Sequence, residues 1–313
     1  MKILVTGCAG FIGTNFLKHV FSRHPDYKIV GVDCLTYAAN TSELDVAKKN
    51  ENFKFYKNDI CDRVAIFEIF EAERPDIIVN FAAESHVDRS ISDSEPFLRS
   101  NYLGVGVLLD ASLKYGVKRF HQISTDEVYG DLPLDSNEPF DEKSPLLPSS
   151  PYSASKAAAD LLVLSYARTH SLPVSISRTS NNFGKHQHTE KLIPKVITSA
   201  LRGEEITVYG DGKNIRNWIH VLDNCRAIDE IIHRGKAGEI YNVGGNTEIS
   251  NIELIKLILC KIGAPESLIR FTKDRPGHDR KYALDSSKIE SALGFSPTTP
   301  FDSGIDELID FYK

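Results

Sequence analysis

Six short apolar or alternating runs punctuate the first 180 residues: KILVTG from Lys2, KIVGVD from Lys28, FKFYKND from Phe53, DIIVNFA from Asp76, RFHQIS from Arg119 and PVSISRT from Pro173. Each has the length and β-branched content of a strand. The segments between them, TNFLKHVFSRH, RVAIFEIFEAE and YLGVGVLLDASLKYG, repeat apolar residues at helical spacing. Apolar strands alternating with helices predict a parallel sheet covered on both faces, a doubly wound α/β fold of the Rossmann type. After Asn181 the chain turns mixed and loop-rich, with glycine turns (YGDGKN), further helices (NIELIKLILCKIG) and a charged loop, KDRPGHDRKY. The expected organisation is a cofactor-binding domain over 1–180 and a smaller substrate-binding lobe over 181–313, with a soft, interleaved boundary.

The chain has 313 residues, 41% hydrophobic and 26% charged, with formal net charge −6. That balance argues against nucleic-acid or polybasic membrane partners. Its apolar runs are too short to span a bilayer. Five cysteines without a C-x-x-C pair argue against a disulfide framework or a zinc site, so no metal is expected. No signal peptide is visible before the first strand, and a cytoplasmic enzyme is the expectation. His186 and His188, one residue apart in a loop, lack a third ligand nearby and are not read as a metal pair.

TGCAGFIG follows the first strand and opens a helix, with Gly7, Gly10 and Gly13 three residues apart. Glycines so placed permit the tight turn, the approach of backbone to a pyrophosphate and close helix–strand packing. Asp33 closes the second strand, 20 residues after Gly13, where a carboxylate accepts from an adenosine ribose and repels a 2′-phosphate, pointing to NAD rather than NADP. Asp59 and Ile60 end the third strand, where an adenine edge would lie, although ending a strand is all they need do.

SSPYSASKAAAD carries Tyr152 and Lys156 four residues apart behind a Ser–Pro helix start, on one helical face. An ammonium beside a phenol favours the phenolate, which can take a hydroxyl proton while hydride leaves. Upstream, STDEVYG ends a strand with Thr125 followed by the adjacent acids Asp126 and Glu127. Turn chemistry is one explanation for the acids; a pair of acid–base catalysts is the other. The second requires an aspartate protonated near neutral pH, which desolvation and a like-charged neighbour favour.

Together TGCAGFIG, FAAESHVDRSI, STDEVYG, SPYSASKAAAD, SNNFG, EKLIP and DRPGHDRKYALD, running from residue 6 to 285, resemble the dTDP-glucose 4,6-dehydratase family of extended short-chain dehydrogenases/reductases. The resemblance implies oxidation of a nucleotide hexose at C4, loss of water across C5–C6 and reduction at C6, with NAD kept by the enzyme. Glu127 would be the C5 base and Asp126 the acid for the C6 hydroxyl. It also implies cofactor contacts from Phe11, Ile12, Leu35, Thr36, Phe81, Ala82, Ala83, Glu84, Ser85, Ser100 and Asn182. Substrate contacts would come from Ser85, Thr125, Asn181, Lys191, Leu192, Thr207, Val208, Tyr209, Asn251 and His278, with Arg216 and Arg275 as diphosphate clamps. His86, Asp88 and Arg89 are expected as a structural cluster, and Tyr129 as packing. Lys185 and Thr189 replace prolines usual in the family, so a more flexible loop is expected there. A homodimer through helices near 97–115 and 151–170 follows from the same resemblance. UDP-glucose or another nucleotide hexose is the alternative substrate. A C4 epimerase would not need both acids, and a non-catalytic NAD-binding protein would not need Thr125, Tyr152 and Lys156.

Overall fold

A computed structural model describes residues 1–313. The first half alternates strands and helices: β1 (Lys2–Thr6), α1 (Phe11–Arg23), β2 (Lys28–Asp33), α2 (Thr41–Ala47), β3 (Phe53–Lys57), α3 (Arg63–Glu73) and β4 (Ile77–Asn80). Two short helices, α4 (Val87–Ser92) and α5 (Glu95–Leu98), lead through a π-helical turn at Arg99–Gly104 into α6 (Val105–Tyr115), then β5 (Arg119–Thr125), α7 (Pro151–His170) and β6 (Val174–Thr179). The remainder holds β7 (Asn181–Phe183), α8 (Leu192–Arg202), β8 (Ile206–Tyr209), β9 (Ile215–His220), α9 (Val221–Arg234), β10 (Glu239–Val243) and β11 (Thr247–Ser250). It ends with α10 (Asn251–Ile262), β12 (Ile269–Thr272), α11 (Ser287–Leu293) and α12 (Phe301–Tyr312).

The main sheet has seven strands in the order β10-β6-β5-β4-β1-β2-β3, all parallel. Alternate β1 residues serve opposite faces, as period-2 geometry requires. Leu4 joins Ile66, Phe70, Leu108 and Val163 from α3, α6 and α7 in one core, while Ile3 and Val5 join Phe16, Leu17 and Ile228 from α1 and α9 in the other. The chain reverses direction between β1 and β4, and in open parallel sheets the ligand crevice lies at such a switch point, beyond the carboxyl ends of the strands.

Residues beyond 180 do not stay in one lobe. Helix α9 packs its Val221, Cys225 and Ile228 against α1, and β10 pairs with β6 as the seventh strand. The rest builds a small lobe from a three-stranded sheet, β11-β9-β7, a two-stranded one, β12-β8, and helices α8, α10 and α12 around Phe183, Ile197, Leu254, Ile258 and Leu308.

Under the sheet's lip runs a buried ion pair, Arg178 Nε to Asp160 Oδ2 at 2.9 Å. Arg178 Nη1 also donates to the Tyr129 hydroxyl, which donates to Asn242. This ties α7 to β6 and β10 and makes Tyr129 a buried structural residue.

Candidate active site

A cleft of about 320 Å³ lies along the switch point. Gly7, at φ +62°, begins its floor; a Cβ there would stand 2.6 Å from the Ala82 nitrogen. A Cβ on Gly13 would reach 2.2 Å from the Gly7 carbonyl, so helix and loop touch only because residue 13 is glycine. Gly10 is the N-cap of α1, with no side chain capping it and no acid in the first turn. The first N–H groups of α1 and its positive dipole end are therefore left for an anion. Asp33 accepts from Ala9 N at 2.9 Å and Leu35 N at 2.8 Å. Each carboxylate oxygen keeps a lone pair for a further donor.

The cleft is lined by Gly7, Gly10, Phe11, Ile12, Gly13, Asp33, Thr36, Asp59, Ile60, Phe81, Ala82, Ala83, Glu84, Ser85 and Ser100. Thr125, Asp126, Glu127, Tyr152, Lys156, Asn181, Asn182 and Lys191 line it too. Leu35 does not; it sits at φ +58° with its amide on Asp33. Asn182 donates to Thr179 and Ser180, leaving its buried Oδ1 without a partner. A lined glycine turn, an uncapped helix start and a strand-end carboxylate together fit a dinucleotide.

At the end of β5 the chain tightens into a single turn of 3₁₀ helix over Asp126–Val128, capped by the Thr125 hydroxyl, which accepts from Glu127 N. Thr125 donates to Asp126 Oδ1, and Asp126 Oδ2 is buried without a partner. Asp126 is 1% exposed. Burial, followed by the charge of Glu127, pushes its carboxyl up to about 8. Glu127 opens further onto the cleft and is also raised by burial, but Arg216, Arg275 and Lys191 pull it the other way. One turn thus presents two carboxyls in different electrostatic surroundings.

Helix α7 starts at a Ser150–Ser153 capping box with Pro151 in its first turn, which aims Tyr152 and Lys156 at the same lip. The expected effect of Lys156 on the phenol is not what the fold provides. The Lys156 ammonium donates to the Ile123 carbonyl at 2.6 Å, and burial pushes it down to about 8. The Tyr152 phenol is pushed up by burial, then by Glu127 and Asp126. Helical spacing predicts that two side chains share a face; it does not predict that one of them finds a carbonyl in the neighbouring strand.

Across the cleft, the small lobe brings several cations forward. Arg216 on β9 is 5% exposed, donates to the carbonyls of Ile215 and Asp279, and lies 4.2 Å over the Tyr282 ring. Arg275 donates to Asp88 at 3.0 Å and leaves its buried Nε unpartnered. Lys191 donates to the Ser85 carbonyl, joining α8 to the loop after β4. Tyr209 and His278 meet edge to face, and Tyr209 donates to Asp88. Val208, expected at the substrate, lies in the core instead: it is 3% exposed and packs with the small-lobe helices, because side chains alternate along β8 and Thr207 and Tyr209 are the exposed ones. Leu192 also packs against that core. Asn251 starts α10 with a buried, unpartnered Oδ1.

His86, Asp88 and Arg89 join the lobes. His86 and Arg89 each lie 3.6 Å from Glu190, and Asp88 holds Arg275. Arg89 stacks over Tyr37 at 3.7 Å, and the Tyr37 hydroxyl donates to Glu190. Glu190, Gln187 and Ser124 line the cleft but were not singled out from the sequence. Glu190 and Ser124 lie inside EKLIP and STDEVYG, the signal that would have found them. Gln187, bonded to the Asn182 carbonyl, has no local signature. The Lys185–Thr189 loop is held by Asn15 on the Lys185 carbonyl and by Lys185 on Glu307.

The family model for GDP-mannose 4,6 dehydratase matches residues 4–308. The chain belongs to this family. It is 48% identical to the low-salt glycan biosynthesis protein Agl12 of Haloferax volcanii, covering 100% of this chain and 98% of that one. With a dTDP-glucose 4,6-dehydratase of Escherichia coli the identity is 45%, covering 100% and 93%. Among solved structures, DesIV, a dTDP-glucose 4,6-dehydratase from Streptomyces venezuelae crystallised with NAD, superposes with a TM-score of 0.96 at 42% identity, covering 100% and 97%. The fold is thus an extended short-chain dehydrogenase/reductase fold with NAD as its cofactor.

Proposed function

We infer that the protein is an NAD-dependent dTDP-glucose 4,6-dehydratase, forming the 4-keto-6-deoxy sugar for deoxysugar synthesis. The observation that carries this reading is the acid pair. Asp126 is pushed up to about 8 and keeps its proton at neutral pH; burial raises Glu127 as well, but the charges of Arg216, Arg275 and Lys191 oppose that rise and favour its ionised form. Pairs of carboxyls set apart in this way take the acid and base roles.

The glycine turn, the α1 N-terminus and Asp33 hold the dinucleotide, with Glu84, Ser100 and Asn182 further along the cleft. Bound NAD supplies a hydride acceptor that later returns the hydride, and its positive ring favours the phenolate of Tyr152. Tyr152 takes the C4 hydroxyl proton as that carbon is oxidised. The Thr125 hydroxyl, donating to the Asp126 carboxyl and accepting from the Glu127 backbone N–H, fixes the turn beside it. The C5 proton is then acidified by the C4 ketone, and Glu127 removes it. Asp126 gives its proton to the leaving C6 hydroxyl, so water departs. Glu127 would return its proton to C5 as C6 takes up the hydride held by the dinucleotide, and the proton gained by Tyr152 balances the one given up by Asp126, so the sum is loss of one water with no net redox change. Arg216, Arg275 and Lys191 supply positive charge for the diphosphate, with Ser85, Asn181, Thr207, Tyr209, Asn251 and His278 around it.

Incubation of the pure protein with dTDP-glucose, UDP-glucose and GDP-mannose, with product masses determined, tests the reading. The expected outcome is loss of one water from dTDP-glucose with no accumulation of NADH. An epimer of unchanged mass, or preference for another nucleotide, would overturn it.

A homodimer in the cytoplasm completes the proposal. Leu98, Leu103 and Leu161 on the α5–α6 and α7 face are 50%, 59% and 59% exposed, an apolar surface suited to a helical interface. All five cysteines are free, as a reducing compartment allows. Light scattering should give twice the chain mass, and Leu103→Glu should give the chain mass alone.

A further inference from the structure

On the face of the sheet covered by α1 and α9, three imidazoles converge on one carboxylate. Asp229 and His233 are four residues apart on α9, and therefore on one helical face. His19 lies on α1 and His24 is its C-cap residue. Asp229 is 8% exposed. His24 Nε2 lies 3.0 Å from both of its oxygens, His233 Nδ1 3.0 Å from Oδ1, and His19 Nε2 3.0 Å from Oδ2. One ligand atom each from His24, Asp229 and His233 falls within 4.8 Å of the others. None of these residues lines the cleft.

We propose that His24, Asp229 and His233 form a binding site for a divalent transition metal, with zinc as the best match. Two imidazoles and a carboxylate are a borderline donor set that favours zinc and its neighbours over magnesium or calcium. Metal–ligand bonds of about 2.0–2.1 Å put tetrahedral donors roughly 3.3–3.5 Å apart, so the three donors, now within 4.8 Å of one another, would draw together around the ion. The outer contacts are those a metal site uses to orient its ligands. His19 donates to the far oxygen of Asp229 and aims the carboxylate. The outer nitrogen of His233 lies 3.2 Å from the Tyr27 hydroxyl, which leaves Nδ1 as the ligating atom. The Tyr27 ring stacks on His24, centroids 4.5 Å apart and planes at 5°. Metal entry exchanges the bond from His233 Nδ1 to the Asp229 carbonyl, 2.8 Å, for a coordinate bond. The side chains are 11–24% exposed, so the fourth position is open to water. The site joins the glycine-loop helix to α9, and its occupancy should stiffen that joint rather than enter the reaction.

The test uses untagged, NAD-loaded protein stripped with a chelator, titrated calorimetrically with zinc chloride and, as a hard-cation control, magnesium chloride. We expect one zinc per chain at about micromolar affinity or tighter, no magnesium binding, and a melting temperature raised by a few degrees at saturation. His24→Gln and His233→Gln should each weaken zinc by at least about a hundredfold, and His19→Gln, an outer contact, by roughly tenfold. NAD content and zinc-free turnover should stay at wild-type values. Should one ligand variant fail to fold, the other, on the opposite helix, carries the test. Absence of stoichiometric zinc binding, or zinc binding unchanged in the foldable ligand variants, would reduce the cluster to a hydrogen-bonded staple and overturn the proposal.

Discussion

At the end of β5, burial raises both Asp126 and Glu127, and Asp126 keeps its proton to about pH 8. Across the cleft Arg216 is equally buried, but it is braced by two backbone carbonyls and a tyrosine face. A desolvated carboxyl can shed its charge by taking a proton; a guanidinium cannot. Similar burial therefore yields a proton donor on one side and a permanent counter-charge on the other. The sheet's lip is built for chemistry and the small lobe for holding an anion, and the two meet where Arg216 acts on both acids and Arg275 and Lys191 act on Glu127.

Removing the proton donor or the base at the sheet's lip should have the largest effect. Asp126→Asn and Glu127→Gln should each slow water loss about 10²- to 10⁴-fold. C4 oxidation should survive, so a single turnover with dTDP-glucose should build up reduced-nicotinamide absorbance. Loss of oxidation with elimination intact would reverse the assignment.

The next largest effect belongs to the other side. Arg216→Ala or Arg275→Ala removes a charge-assisted contact of about 1.5–3 kcal/mol, or roughly ten- to a hundredfold in dTDP affinity by calorimetry. NAD content should not change, because the glycine turn lies in the main sheet. Lysine should restore only part, lacking the guanidinium fork. Wild-type dTDP affinity in both variants would leave the small lobe without an anion-holding role.

A smaller effect sharpens the cofactor end. Asp33→Ala should weaken NAD about tenfold, through lost ribose bonds, and shrink the penalty against NADP. An unchanged ratio of the two affinities would confine Asp33 to its bonds with Ala9 and Leu35.

The smallest is a stability shift with pH. Because the folded state raises Asp126 from 3.8 to about 8, it favours the protonated form. The corresponding stability is fully present below the ordinary carboxylate range and is lost as pH rises through about 8. Asp126→Asn has no proton to lose. Its melting temperature relative to wild type should therefore climb by a few degrees between about pH 4 and pH 9. A flat difference would mean that Asp126 ionises normally in the fold.

Much of this site was legible because it is local. A glycine turn between strand and helix, an acid closing the next strand, two acids after β5 and a Tyr–Lys pair on a helix are short-range patterns, and most of these residues line one cleft. Val208 is core because motif position does not say which face of a strand points inward; Thr207 and Tyr209, on either side of it, are the exposed ones. Glu190 was overlooked because its importance comes from partners far off in the chain, Tyr37, His86 and Arg89.

The alternation of elements, the dinucleotide turn and the set of reactive groups are written locally in the chain, since side-chain periodicity and turn chemistry act over a few residues. The tertiary structure alone decided that α9 and β10 return to the main sheet, that Lys156 spends its ammonium on the Ile123 carbonyl, and that three histidines gather around Asp229. It also decided that Asp126 is the acid held neutral while Glu127 answers to three cations. Proton affinity depends on how much water is excluded and which charges face the group. Both are set by segments distant in the chain, which only packing brings together.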